Sequence, residues 1–539
     1  MDKAFLKYGV LCVAGVGLAY ADAALAAEEK KPNVLFIPVD DLKPLLGCYG
    51  DKQIHTPNID RLAARGIVFI NAYCQQALCG PTRASVMTGL YPDSTRVWDL
   101  KTRMRDMNPD VLTLPQYFKR SGYVTTGVGK TYDPRCVGPK LDAPSWSIPY
   151  RKITQRDFPH DVLFPVDGHY QSPEIRKRHA LAMTKIKAGK LKGKEALAVK
   201  REYNSKPVTE CLDIPDDAYM DGAIAKIGCG LLEKLSKGEK PFFISVGFKK
   251  PHLPFAVPKK YWDMYDRNKI DLAPFRQKAK NDKAFTYQDS WELRSCYTDV
   301  PVKGAIPENL QRKMIHGYMA SVSFMDAQLG KVLDKLDELG LTDNTIICLW
   351  GDHGWHLGDH GMWCKHTNFE EATRAPLIFA GPGAPKGAVS KSIVEFVDIF
   401  PTICSLAGLD VPKQLQGKSL IPIFKYHEPS FGKLISSIFG AAREPSVRRA
   451  AMSQFCRYYD KGKFTMGYAV RDGRYRYVEW ILKDFRKGEK AGPVVFRQLF
   501  DYKRDPLETV NQAANPEYED VVKKMSGVLH EDFGIQSKP

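Results

Sequence analysis

The chain has 539 residues, 44% hydrophobic and 26% charged, which excludes an intrinsically disordered protein and leaves room for one large domain plus a smaller one. A formal net charge of +17 suits an anionic partner, yet no nucleic-acid-binding module or stacking motif accompanies it. Twelve cysteines occur without a C-x-x-C pair or zinc-like spacing, so a zinc-stapled fold is excluded and no disulfide pairing is assigned.

Residues 1–26 carry Lys3 and Lys7, an apolar run from Val10 to Ala19, and Ala24-Leu25-Ala26. This order of basic, apolar and small residues predicts a secretory signal peptide, hence a periplasmic or secreted protein. The run is shorter than the ~20 apolar residues a membrane span requires, and no later segment is long and apolar enough to cross a bilayer.

Asn33-Val34-Leu35-Phe36-Ile37-Pro38-Val39 reads as a buried strand that ends in Asp40-Asp41. Phe242 to Gly247 and Thr345 to Trp350 read likewise, leading into Lys249-Lys250-Pro251-His252 and Gly351-Asp352-His353-Gly354. Between them, Gln311 to Leu339 has helical periodicity, with Met319, Val322, Met325, Leu329, Val332 and Leu336 on one face. Alternating strands and helices predict an α/β three-layer sandwich around a mixed, mostly parallel sheet, and ligands of such sheets collect at the carboxyl ends of strands. From about residue 430 the pattern changes. A hairpin turning near Asp472-Gly473, a short strand at Leu499–Tyr502 and a helix after Pro516 predict an α+β subdomain with an antiparallel sheet. The expected organisation is a signal peptide over 1–26, a catalytic domain over 27–430 and a C-terminal subdomain over 431–539.

Two carboxylates side by side repel unless a cation separates them. Asp40-Asp41 and Asp352-His353 therefore predict a metal site, whose oxygen-rich donors favour Ca²⁺ or Mg²⁺ over zinc. The competing structural reading makes Asp40-Asp41 the N-cap of a helix starting at Leu42. The chain also contains Leu78-Cys79-Gly80-Pro81-Thr82-Arg83 followed by Thr88-Gly89. No ordinary structural role asks for a thiol two residues before a proline and four before an arginine.

With these blocks, and with Gly129-Lys130, Lys250-Pro251-His252-Leu253-Pro254-Phe255, Asp352-His353-Gly354-Trp355 and Trp363-Cys364-Lys365, the chain resembles the sulfatases of the alkaline-phosphatase superfamily. It is most similar to the branch containing iduronate-2-sulfatase and its bacterial relatives. The resemblance runs from about Pro32 to about Leu507. It implies that a maturation enzyme oxidises Cys79 to formylglycine, whose hydrate attacks sulfur and then expels sulfate. It implies Ca²⁺ held by Asp40, Asp41, Cys79 (as formylglycine), Asp352 and His353. Arg83, Lys130 and Lys365 would neutralise the sulfate oxygens, and His252 would protonate the leaving alcohol. Lys130, His252 and Lys365 are thus the expected substrate contacts.

One departure stands out. Relatives place a histidine two or three residues after the lysine of Gly-Lys, whereas this chain reads Lys130-Thr131-Tyr132-Asp133, so Asp133 is the expected replacement base. The branch implies a sulfated glycan, with a 2-O-sulfated uronic acid as the favoured sugar. Ten Lys or Arg against the single Glu195 between Arg176 and Arg201 are expected to help bind it. Three rival readings remain from sequence: a phosphodiesterase or phosphonate hydrolase of the same superfamily, a non-catalytic glycan-binding relative, and a basic nucleic-acid-binding protein, which the signal peptide argues against.

Overall fold

The computed structural model describes residues 31–428 and 443–538. The predicted signal peptide at 1–26 and the predicted domain boundary at 430/431 lie outside the described residues. The main sheet contains β1 (Asn33–Val39), β2 (Gly66–Tyr73), β3 (Val124–Gly129), β4 (Phe242–Gly247), β5 (Thr345–Gly351), β6 (Leu377–Ala380) and β7 (Ala388–Glu395), in the spatial order β7-β2-β6-β5-β1-β4-β3. Only β6 runs antiparallel to its neighbours β5 and β2; the other pairings are parallel.

Every residue of β1 is buried, and the reason lies in the two-residue repeat of a strand. Leu35, Ile37 and Val39 enter one core and Val34 and Phe36 the other. In β5, Ile347 and Leu349 face the first core while Ile346, Cys348 and Trp350 face the second. A strand buried on both faces is continuously apolar, as these are. The first core is covered by α1 (Pro57–Ala64), α3 (Met220–Ser236) and α4 (Glu308–Glu338), the second by α2 (Cys79–Thr88) and α5 (Ile399–Leu406). The predicted stripe on α4 is the buried one: Met319, Val322, Met325, Leu329, Val332 and Leu336 all sit in the first core.

The smaller sheet comprises β8 (Ala451–Tyr459), β9 (Lys463–Arg471), β10 (Tyr475–Leu482), β11 (Ala491–Asp501) and β12 (Gln536–Lys538) in that spatial order. The predicted hairpin is β9–β10, with Asp472 Oδ1 accepting from the amides of Arg474 and Tyr475 at the turn. The predicted short strand at Leu499–Tyr502 is the end of the longer β11, whose earlier part contains Gly492 and Pro493 and reads poorly as a strand. Helix α6 (Glu519–Phe533) packs Met525, Val528 and Leu529 on this sheet. β8 is fastened to the main domain beside the start of α2, by Gln454 N donating to Gln75 O at 2.8 Å and Ser453 Oγ to Cys74 O at 2.6 Å. All eleven described cysteines are free.

Candidate active site

Four neighbouring strand ends build one site. Asp40 and Asp41 follow β1, Asp352 and His353 follow β5, Lys130 follows β3, and the Lys249–His252 loop follows β4. No helix starts at Leu42: Asp41 turns the chain with φ 61°, a conformation aspartate tolerates better than most residues. The N-cap reading of Asp40-Asp41 is therefore set aside. Gly129 makes the turn into Lys130 possible. Its φ is +83°, and a Cβ there would lie 1.9 Å from Gly247 O.

Cys79 is the first residue of α2, so it stands at the positive end of that helix. Arg83 comes four residues later, on the same face one turn along. Pro81 falls in the first turn, where no intrahelical amide bond is lost. The spacing Cys-x-Pro-x-Arg is thus the geometry of one helical turn aimed at one point.

At that point Cys79 Sγ lies 3.3 Å from His353 Nε2 and 3.9 Å from Asp41 Oδ1. Ligand atoms of Asp41, Cys79, Asp352 and His353 all fall within 4.8 Å of one another, and so do those of Asp40, Asp41 and His252. His353 Nδ1 is 3.0 Å from the Gly354 carbonyl. A carbonyl only accepts, so Nδ1 carries the proton and Nε2 is free to ligate a cation. Cys79, Asp40, Asp41, Asp352 and His353 are all at most 2% exposed. Three buried carboxylates with a free imidazole nitrogen fit a hard divalent cation.

Cations surround this cluster. Arg83 Nε donates to Asp352 Oδ2 at 3.0 Å and Arg83 Nη2 to Asp40 Oδ1 at 3.3 Å. Lys130 Nζ reaches Asp40 Oδ2 at 2.5 Å, and Lys365 Nζ reaches both Asp41 oxygens at 2.9 and 3.1 Å. Burial pushes the Asp40 carboxyl up, but Lys130, His252 and Arg83 outweigh it and hold it well below the usual range. Asp41 is raised instead, by burial first and by its neighbour Asp40. Burial and Asp40 also push the Cys79 thiol well up.

His252 is held by Nδ1 on Leu253 O at 2.6 Å, and its Nε2 faces Asp41 Oδ2 at 3.8 Å and Glu292 Oε1 at 3.5 Å. Burial lowers its pKa, yet Asp41, Asp40 and Glu292 outweigh burial and raise it. Glu292 is a site residue with no sequence motif to reveal it. It bridges Lys365 Nζ at 3.2 Å, His252 and His366 Nε2 at 3.6 Å. Asp221 of α3 was equally hidden; its carboxylate accepts from the amides of Lys249 and Lys250 at 2.9 and 2.8 Å and so fixes the histidine loop.

Asp133 caps the short helix Pro134–Val137 and takes two side-chain bonds from Arg135, at 2.8 and 2.7 Å. Burial raises its pKa, but Arg135 and Lys130 outweigh burial and bring it down to about 2. Arg135 thus engages both oxygens of this carboxylate, which also lines the active-site cavity. The basic run from Arg176 to Arg201 lies on a hairpin of helices Pro173–Ala188 and Gly193–Glu202. None of its residues lines the cavity of about 550 Å³ that opens onto Asp40, Cys79, Lys130, Asp133, His252, Glu292 and Lys365.

This arrangement, a helix-borne cysteine among carboxylates and cations at the carboxyl ends of a mostly parallel sheet, agrees with what sequence comparison finds. The chain belongs to the sulfatase family: the Sulfatase family model matches residues 32–409, and the model for the N-sulphoglucosamine sulphohydrolase C-terminal region matches 358–533. It is an enzyme, a sulfuric ester hydrolase with the α/β fold of the alkaline-phosphatase superfamily. It is 34% identical to the iduronate 2-sulfatase of Mus musculus, over 88% of this chain and 89% of that protein. Identity to the iduronate 2-sulfatase of Homo sapiens is also 34%, over 83% and 85% of the two chains. Among solved structures, BT4656 in complex with its substrate D-glucosamine-2-N,6-O-disulfate superposes with a TM-score of 0.68 at 22% identity, over 94% of this chain and 98% of that one.

Proposed function

We propose that the protein is an exported hydrolase that removes the sulfate ester from a sulfated glycan, with a 2-O-sulfated uronic acid as the sugar attacked. The observation that carries this reading is the convergence of Cys79, three carboxylates and three cations in one cluster, of which Cys79, Asp40, Lys130 and Lys365 line the cavity, in a chain similar to iduronate 2-sulfatases over most of its length. The proposed domains are the catalytic unit over 27–430 and the C-terminal subdomain over 431–539, and export rests on the leader at 1–26. Among the described residues no helix is long and apolar enough to cross a membrane.

Ca²⁺ held by Asp40, Asp41, Asp352, His353 and residue 79 would supply a Lewis acid that polarises the sulfate. Formylglycine, made from Cys79 by a maturation enzyme, would supply the nucleophile. The remaining roles belong to the chain as it stands. Lys130 and Lys365 now neutralise Asp40 and Asp41 and lie where the equatorial sulfate oxygens enter, while Arg83 fixes Asp352 and Asp40 from beneath. His252, with Nδ1 tied to a carbonyl and Nε2 turned to the cavity, gives its Nε2 proton to the leaving sugar oxygen. Glu292 holds that imidazole and restrains Lys365.

The test is sulfate release, followed by ion chromatography, from a glycan oligosaccharide with a 2-O-sulfated uronic acid at its non-reducing end. The expected result is one sulfate per chain and faster hydrolysis of aryl sulfates than of aryl phosphate diesters. A preference for the phosphate diester, or glycan binding without sulfate release, overturns the reading.

A further inference from the structure

A second cavity, of about 500 Å³, adjoins the active-site cavity and shares Gly129, Pro134, Arg135, Leu141 and Lys249 with it. Its lining contains Arg103, Arg135, Arg151, Lys152 and Lys249 and not one carboxylate. Two of these cations are already matched, Arg135 by Asp133 and Arg151 by Asp157. Arg103, Lys152 and Lys249 make no ion pair with any described residue. Lys249 carries the argument furthest. Its amide is fixed on Asp221, its side chain lines both cavities, and burial pulls its ammonium below the ordinary range, with Asp221 opposing that fall and Lys130 adding to it. A half-buried ammonium that makes no direct ion pair is stabilised when an anion arrives to pair with it. Tyr150, Leu141, Ile153 and Met220 supply apolar surface between the charges, and such surface packs against the faces of sugar rings. The other cavities differ: the one beside Arg65 and Asp337 and the one beside His360 and Glu508 both contain acids as well as bases.

We propose that this cavity is a subsite for a second anionic group, a sulfate ester or a carboxylate, on the sugar next to the one that is desulfated. The proposal rests on the sulfatase reading and adds a substrate class: oligosaccharides with charge on two successive sugars, entering past Lys130. It places the specificity charges in separate segments of the chain, at residues 103, 152 and 249, and not in the basic run at 176–201.

The experiment compares wild type, R103A/K152A and K249M on three substrates: an aryl sulfate, a 2-O-sulfated uronate disaccharide, and the same disaccharide with a further sulfate on the neighbouring sugar. A fourth substrate, a disaccharide whose neighbouring sugar carries a carboxylate in place of that further sulfate, separates a carboxylate from a sulfate as the second group. Expected is at least a tenfold preference of wild type for the doubly charged sugar, expressed in KM. In R103A/K152A that preference falls to less than threefold with kcat kept, and the salt dependence of kcat/KM flattens. In K249M the preference falls as well. Affinity of the C79A protein for the same disaccharides, by calorimetry, keeps the test open if turnover is slow; it should drop at least tenfold when Arg103 and Lys152 are removed. Equal kcat/KM or equal affinity for singly and doubly charged sugars in wild type, or a preference unaltered in R103A/K152A, overturns the proposal. Loss of all sulfate release in wild type, with the affinity difference intact, overturns the function reading alone.

Discussion

The molecule buries two clusters of charge that look alike in composition and differ in what surrounds them. In the first, Arg448 pairs with Glu395 and Asp398 in the join between the two sheets. Glu395 accepts from Tyr91 Oη at 2.6 Å and from Met452 N at 2.5 Å, and Asp398 from Lys418 N at 2.7 Å. Each carboxylate is spoken for, and the cluster lies under packed chain. In the second, Asp40, Asp41 and Asp352 meet Arg83, Lys130 and Lys365, and Asp40, Lys130 and Lys365 line an open cavity. In the proposed function those ion pairs are exchanged: a cation would enter between the carboxylates, and a sulfate would take the lysines. Closure makes buried charge a structural joint; a cavity makes it a reaction centre.

Five substitutions sharpen this contrast, in falling order of effect. Asp41→Asn should lower aryl sulfate turnover by at least about 10⁴-fold, since it removes the carboxylate that Cys79, Lys365 and His353 share. Its melting temperature should hold or rise, because it also relieves the repulsion with Asp40. Arg448→Met should do the reverse. Leaving Glu395 and Asp398 without their guanidinium costs about 3–5 kcal/mol in chemical denaturation, while activity per folded molecule stays close to wild type.

His252→Gln should lower kcat about 10²- to 10³-fold on glycan substrates. The loss should be much smaller on aryl sulfates whose leaving group needs no proton, and equal losses on both would remove the acid role. His356 offers a pH test away from the reaction. Burial lowers its pKa to about 3, against ~6.5 in the unfolded chain. Between those values the unfolded state binds the extra proton, so stability falls as pH drops from about 6.5 toward 3, by up to about 1.4 kcal/mol per pH unit. His356→Gln should flatten that acid limb in pH-dependent denaturation; an unchanged slope removes the account. The smallest effect belongs to Asp133→Asn, expected to cost a few-fold in turnover by loosening Arg135 and no shift in the acidic limb of the pH–rate profile. A loss of 10³-fold with a displaced pH profile would support the base role.

Much of the centre was legible because its residues follow apolar strands or lie within one short motif. Asp40-Asp41 and Asp352-His353 close the runs that became β1 and β5, and Cys79 and Arg83 share one turn of α2. Other parts were hidden for physical reasons. β3, Val124-Thr-Thr-Gly-Val-Gly129, carries two glycines that blur its strand pattern, and the antiparallel β6 is only four residues long. Glu292 and Asp221 act through long-range placement, which leaves no local signature. The basic run at 176–201 was the most conspicuous charge feature of the sequence, yet the cations that adjoin the site are dispersed at 103, 130, 152, 249 and 365. Asp133 was read from its position in a motif, and the bond that changes its chemistry comes from Arg135, two residues away.

The central claim is that Cys79 is the residue converted into the nucleophile of this site. Intact-peptide mass spectrometry across Cys79, on protein made with and without a co-expressed formylglycine-generating enzyme, tests it most directly. The account predicts a peptide about 18 Da lighter than the thiol form, the opposite sign from ordinary thiol oxidation, with sulfate release rising in proportion to the converted fraction. Full sulfate release from protein whose Cys79 peptide keeps the thiol mass would contradict it.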